Sequence, residues 1–238
     1  MRKKEFLEGI KDGMPICLGY FSVSMAFGLT AVKAGLPIWS AILISLTNLT
    51  SAGQFAGINI LASGGAMLEL AITTLIINMR YFLMSLSVSQ KVDQKMTIFK
   101  RLLVSFGITD EIFAVSVAKD KVLSATYMAG LIVGPVLGWT SGTAIGAVAT
   151  SFMPPLLSDA MGIALYGMFI AIITGPALKD RKVLFAVLIS ILASLIFSFA
   201  PVLNQISSGW TVIIITILVS ALCATLFPKF TDKEEETQ

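Results

Sequence analysis

The chain has 238 residues, 56% of them hydrophobic and only 13% charged, with a mean hydropathy of +0.88; a soluble domain, about a quarter charged, is excluded. The excess runs along the whole chain, which excludes a soluble domain on one anchor and predicts an all-α polytopic membrane protein of seven or eight transmembrane helices at about 20 apolar residues each. The net charge of +3 and the lack of any histidine exclude a His-ligated metal, a His proton relay and a Ser-His-Asp triad, and give no nucleic-acid footprint.

Residues 1–12, with Arg2, Lys3, Lys4 and Lys11, read as a cytoplasmic N-terminal segment whose charges are a topology signal. A single transmembrane domain follows over 13–228. Its apolar runs are long and continuous, unlike the alternating ten-residue strands of a barrel. The predicted spans are 13–33, 38–62, 67–89, 101–118, 123–150, 160–178, 183–202 and 209–227. Punctuation such as Gly35-Leu36-Pro37, Ser63-Gly64-Gly65 and Lys119-Asp120-Lys121 separates them. Residues 229–238 form a polar tail. Cys17 and Cys223 are far apart in the chain and make neither a disulfide framework nor a metal motif. No metal or cofactor is expected.

With eight crossings and the N-terminus in the cytoplasm, most Lys and Arg fall inside. The exception is the loop at 91–101, with Lys91, Lys95, Lys100 and Arg101. Either that loop is translocated regardless, or one early segment is re-entrant and does not cross.

The second span contains Thr47-Asn48-Leu49-Thr50-Ser51-Ala52-Gly53-Gln54, five uncharged polar side chains and a glycine near its middle. In hydrocarbon such a stretch is either a close-packing surface or an interrupted helix facing protein or a watery cavity. In the second case the half-helix starting near Gln54 aims unpaired N–H groups inward, which suits a carboxylate. Thr140-Ser141-Gly142-Thr143 in the fifth span resembles the start of this stretch. Spans 13–89 and 101–178 therefore read as two inverted three-helix repeats with broken helices, followed by two further helices. That arrangement is common in secondary transporters.

Charges stranded inside spans are the sharpest signal. Arg80, in Ile77-Asn78-Met79-Arg80-Tyr81, has apolar or hydroxyl residues on both sides. At that depth a charge costs about 2.5–3.5 kcal/mol on insertion scales, so it faces protein or water. Asp110 and Glu111 lie in the fourth span and point about 100° apart on a helix, so they do not share one partner equally. Arg80 either holds a substrate carboxylate bidentately or forms a structural ion pair with one of the acids; alternatively, one acid carries a coupling proton. Asn78 and Tyr81 are candidates to orient the guanidinium. The candidate substrate-binding or coupling residues are thus Arg80, Asn78, Asn48, Ser51, Gln54, Asp110, Glu111 and Tyr81; none is assigned a catalytic role.

At these residues the chain resembles the AzlC-type family, the large subunit of branched-chain amino acid exporters. The matching segments are Ser51-Ala52-Gly53-Gln54-Phe55-Ala56, Asn78-Met79-Arg80-Tyr81-Phe82-Leu83-Met84 and Asp110-Glu111-Ile112-Phe113-Ala114, in the family's order. The resemblance implies export of valine, leucine and isoleucine across the cell membrane, driven by membrane potential or a proton gradient. It also implies a small hydrophobic partner of the AzlD type. Many members carry His after the arginine of the Asn-x-Arg segment, and this chain has Tyr81. A non-transporting scaffold or sensor is the alternative function, and an intramembrane enzyme a more distant one.

Overall fold

The computed structural model describes residues 2–152, 154, 167, 170 and 173–227. Much of the predicted span at 160–178 and the whole tail at 229–238 lie outside the described residues. Two compact units are present, Met1–Met168 and Phe169–Gln238.

In the first unit, α1 (Arg2–Lys33), α4 (Met67–Lys91) and α7 (Ala125–Ala149) are long and apolar enough to cross a bilayer. Between them lie four shorter helices: α2 (Ile38–Thr47), α3 (Ser51–Ala62), α5 (Ile98–Phe106) and α6 (Asp110–Ala118). At 1.5 Å per residue, helices of 9–12 residues rise only about 13–18 Å, half of a hydrocarbon core. Large apolar side chains such as Leu68, Leu75, Phe82, Phe99 and Leu137 are exposed, as lipid-facing residues are.

α1 and α7 form the core of this unit. Glycines recur every fourth residue on α7, at 130, 134, 138, 142 and 146. Without side chains, the two backbones meet: Gly130 lies against the Phe6 carbonyl, Gly138 against Cys17, Gly142 against Phe21 and Gly146 against Met25. Small residues at four-residue spacing permit this approach within membranes. Residue numbers rise together along the seam, so α1 and α7 are parallel.

A polar cluster then defines one face. Near the start of α1, Glu8 and Asp12 accept Lys119 at 2.9 and 2.8 Å, and Glu8 also accepts Lys121 at 2.9 Å. Ser124 Oγ donates to Glu5 at 2.7 Å. The carboxylates of Asp12 and Glu8 hold the Lys119 ammonium above the ordinary lysine range. The end of α4 reaches the same face. Val92 and Leu123 form a parallel bridge, and Lys91 Nζ donates to the Val117 and Lys119 carbonyls at 2.5 and 2.8 Å, capping α6. α5 begins there too, since Lys100 shares a groove with Ala125 and Thr126 at the start of α7.

These contacts fix the topology. α5 and α6 start and finish at one face, and the three residues between them (107–109) lie at depth, with Gly107 packed on Ile132. α4 begins at the opposite face, where α1 ends. α2 starts just after α1 and α3 finishes just before α4, so α2–α3 dips in from that opposite face and returns. Its tip is deep, with Gly53 beside Asn78, halfway along α4. The span predicted at 38–62 is interrupted as the sequence suggested. That predicted at 101–118 is also two half-helices, which the sequence reading missed. The loop at 91–101 consequently joins Lys119, Lys121 and the N-terminal lysines on one basic face, leaving Lys33 on the other. A re-entrant segment is the reason for its excess charge.

The same order of elements thus occurs twice in opposite directions: half-helix, three-residue break, half-helix, 25-residue crossing helix, over 38–91 and 98–149. The Thr140–Thr143 stretch is not an interruption. α7 runs through it, with the Ser141 hydroxyl satisfied inside the helix on the Leu137 carbonyl at 2.6 Å and Gly142 at the α1 seam. The counterpart of the first break is 107–109.

The second unit holds α8 (Arg181–Phe199) and α9 (Ser208–Leu226), both long and apolar enough to cross a membrane. A 3-10 turn at Leu203–Gln205 lies between them. Asp180 caps α8 by accepting the Lys182 N–H at 2.8 Å. A groove of about 410 Å³ between the two helices is lined by small polar residues including Ser190, Ser194, Thr216 and Ser220.

Candidate functional site

Each helix break has a local cause. At the first, Asn48 leaves the helix in an extended conformation (φ −149°, ψ 121°), and its Oδ1 accepts the Thr50 N–H at 3.2 Å. Asn side chains compete in this way with helical hydrogen bonding. At the second, Gly107 ends α5 and Thr109 caps α6, its hydroxyl accepting the Ile112 N–H at 3.4 Å. Asp110 and Glu111 then occupy the first turn of α6, where the helix dipole favours negative charge.

The breaks bring most of the singled-out residues to the middle of the unit. Arg80 Nη1 pairs with Asp110 Oδ2 at 3.0 Å, and its Nη2 donates to the Tyr81 hydroxyl at 3.1 Å, with the guanidinium 4.9 Å from the Tyr81 ring centroid. Glu111 faces elsewhere and accepts the hydroxyl of Tyr20 on α1. The two adjacent acids therefore serve two partners. Asn78 points away from Arg80, toward Gly53 at the start of α3. Gln54 reaches back across the first break to Ser45 at 3.3 Å, and Ser45 shares a 2.7 Å hydrogen bond with Thr143 on α7, tying the α2–α3 hairpin to the α1–α7 core. Asn48 is half-buried, occupied in shaping the break, and Ser51 opens α3.

Two residues went unnoticed as site components in the sequence. Tyr20 holds Glu111, and its ring meets Trp139 edge-on at 5.4 Å. Trp139 is 1% exposed and stacks on Phe27 at 6.5 Å, which in turn meets Phe55 at 5.4 Å. An aromatic wall thus stands beside the charged cluster. The sequence gives little signal for it, because aromatic residues in a membrane span are ordinary. A groove of about 520 Å³ lies elsewhere, between α5 and α7, and is mostly apolar. The charged cluster itself is open rather than enclosed: the Arg80 and Asp110 side chains are 42% and 40% exposed.

An apolar exterior, crossing helices and a charged cluster at mid-depth between two broken hairpins define a polytopic membrane protein whose polar machinery sits at its centre. Residues 15–153 match the family model described as AzlC protein, and the chain belongs to the AzlC family. The match ends just past α7 and so covers the broken hairpins and the charged cluster. The chain is 29% identical over 205 residues to the inner membrane protein YgaZ of Escherichia coli (strain K12), covering 83% of this chain and 84% of that one. It is 23% identical over 172 residues to the branched-chain amino acid transport protein AzlC of Bacillus subtilis (strain 168), covering 71% and 66%. An uncharacterized membrane protein of Archaeoglobus fulgidus is 29% identical over 184 residues, covering 76% and 80%. No solved structure matches the chain. Family and relatives together support a membrane transport role.

Proposed function

We propose that this chain is the large subunit of a secondary transporter that exports hydrophobic, branched-chain amino acids across the cytoplasmic membrane. The observation that carries the reading is the Arg80–Asp110 pair, held at mid-depth on α4, the helix whose middle both oppositely directed helix breaks reach. A zwitterionic substrate carries both charges that such a pair can exchange. Its carboxylate competes with Asp110 for the Arg80 fork, its ammonium is drawn to the released Asp110 or to Glu111, and the Tyr20–Trp139–Phe27 wall suits an apolar side chain. The partial exposure of the pair favours exchange over a permanently locked structural bridge. The repeated hairpin-and-crossing order is the kind of inverted arrangement on which alternating access is built.

The crowding of Lys and Arg on the face that holds the N-terminus supports a cytoplasmic N-terminus. A small hydrophobic partner of the AzlD type completes the transporter in this reading, and the name of the Bacillus subtilis relative supports the substrate class. The test is efflux from cells preloaded with labelled leucine, valine or isoleucine and expressing the chain with such a partner. Arg80→Ala is expected to lower efflux at least about tenfold at unchanged membrane abundance, which corresponds to about 1.4 kcal/mol. Arg80→Lys is expected to recover part of it, keeping the charge but losing the fork. Wild-type efflux from an inserted Arg80→Ala protein would remove Arg80 from the mechanism.

A further inference from the structure

The break between α2 and α3 leaves oxygen atoms without partners. Gln54 is 3% exposed, and its amide uses Nε2 on Ser45 in the last turns of α2 while Oε1 stays unpaired. Thr50 Oγ1 and Asn78 Oδ1 are likewise enclosed and unpaired. These two lie 2.2 and 3.3 Å from the point a side-chain carbon on Gly53 would occupy. They are therefore separated by no more than the sum of those distances, about 5.5 Å, and they make no hydrogen bond to each other. Any side chain at 53 would fill the space between them. The last turn of α2 adds carbonyls with no helical partner, at the negative end of its dipole.

The chemistry of this set is narrow. Hydroxyl, amide and carbonyl oxygens are hard ligands, and no carboxylate is among them. A divalent ion of the calcium class recruits carboxylates. Among the described residues no group of three His, Cys, Asp or Glu is placed to hold a metal. Arg80, two residues from Asn78, is engaged with Asp110 and Tyr81 and supplies no donor to these oxygens. Neutral oxygens beside an unwound helix replace the hydration shell of an alkali cation, the use that broken helices serve in other secondary transporters.

We propose that this break binds one monovalent metal cation of the sodium class between Thr50 Oγ1 and Asn78 Oδ1. The site is separate from the Arg80–Asp110 pair, and its existence does not depend on the substrate assigned above. The test uses the purified full-length chain, unfolded by heat in sodium, potassium or N-methylglucamine chloride at one ionic strength, with leucine added only in a separate arm. Sodium is expected to raise the unfolding temperature saturably, and N-methylglucamine not at all. Thr50→Val and Asn78→Ala are each expected to weaken the apparent sodium affinity at least about tenfold, while Thr50→Ser keeps it. If Asn78→Ala does not fold, the two Thr50 variants decide. Equal unfolding temperatures in all salts would overturn the proposal, as would a sodium response that survives in Thr50→Val. A response to leucine but to no salt would also overturn it, assigning the oxygens to an organic ammonium instead.

Discussion

Arg80 and Asp110 hold each other in a place where neither is tolerated alone. A single charge left without its partner at mid-depth pulls in water or distorts the packing around it, whereas removing both charges removes that demand. Arg80→Gln and Asp110→Asn are each expected to destabilise the purified protein by about 1–3 kcal/mol, and the double variant by less than the sum. Thermal unfolding of the four proteins in one double-mutant cycle measures this coupling; strict additivity would show that the 3.0 Å pair contributes nothing. At this scale the sequence was informative where a residue type was out of place. Arg80, Asp110, Glu111, Asn78 and Gln54 stand out because charge and amide are costly in hydrocarbon. Tyr20 and Trp139 do not, because position alone, beside Glu111 and against Phe27, makes them part of the cluster.

Among the elements, the two breaks differ in how openly the sequence announces them. Asn48 and its polar neighbours interrupt an otherwise apolar run and are visible as such. The second break was legible in a different way: Gly107 is a helix stop, and Thr109 followed by Asp110 and Glu111 is a helix start with its cap and first-turn acids. Read only as intramembrane charges, those acids pointed to function and concealed the cap. The glycines of α7 are ordinary membrane residues taken one by one, but their four-residue spacing makes one continuous seam. That seam yields a graded prediction. At Gly142 an added carbon meets the Phe21 carbonyl oxygen at 2.3 Å, whereas at Gly134 its nearest neighbour is Cys17 Cβ at 3.6 Å. Gly142→Ala is expected to force α1 from α7 and cost about 1–3 kcal/mol, the range of overpacked cores. Gly134→Ala is expected to be neutral, or to stabilise by up to about 1 kcal/mol through helix propensity. Unfolding temperatures of the two variants check this, and equal losses would mean that the backbones are not in contact at Gly142.

For the whole molecule, composition alone was enough for a helical membrane protein, but the path of the chain was not readable from hydropathy. A half-membrane hairpin and a full crossing have similar length and apolarity; only the side on which each connection emerges separates them. With the chain crossing at every predicted span, the connection around Gly64 would share a side with Asp120, and Lys95 would share one with Gly35. The contacts that join Lys91 and Val92 to residues 117–123 require the reverse: Gly35 and Gly64 together, Lys95 and Asp120 together. Single cysteines at these four positions, in a background with Cys17 and Cys223 replaced by alanine, distinguish the two paths. In sealed vesicles of one orientation, a membrane-impermeant maleimide is expected to label positions 35 and 64 from one side and positions 95 and 120 from the other. Labelling of 64 with 120 would turn the α2–α3 hairpin into a crossing and separate its tip from the α5–α6 tip. The convergence of both breaks on the middle of α4 then loses its basis, because α4 would start on the basic face and its end at Lys91 and Val92 would leave residues 117–123.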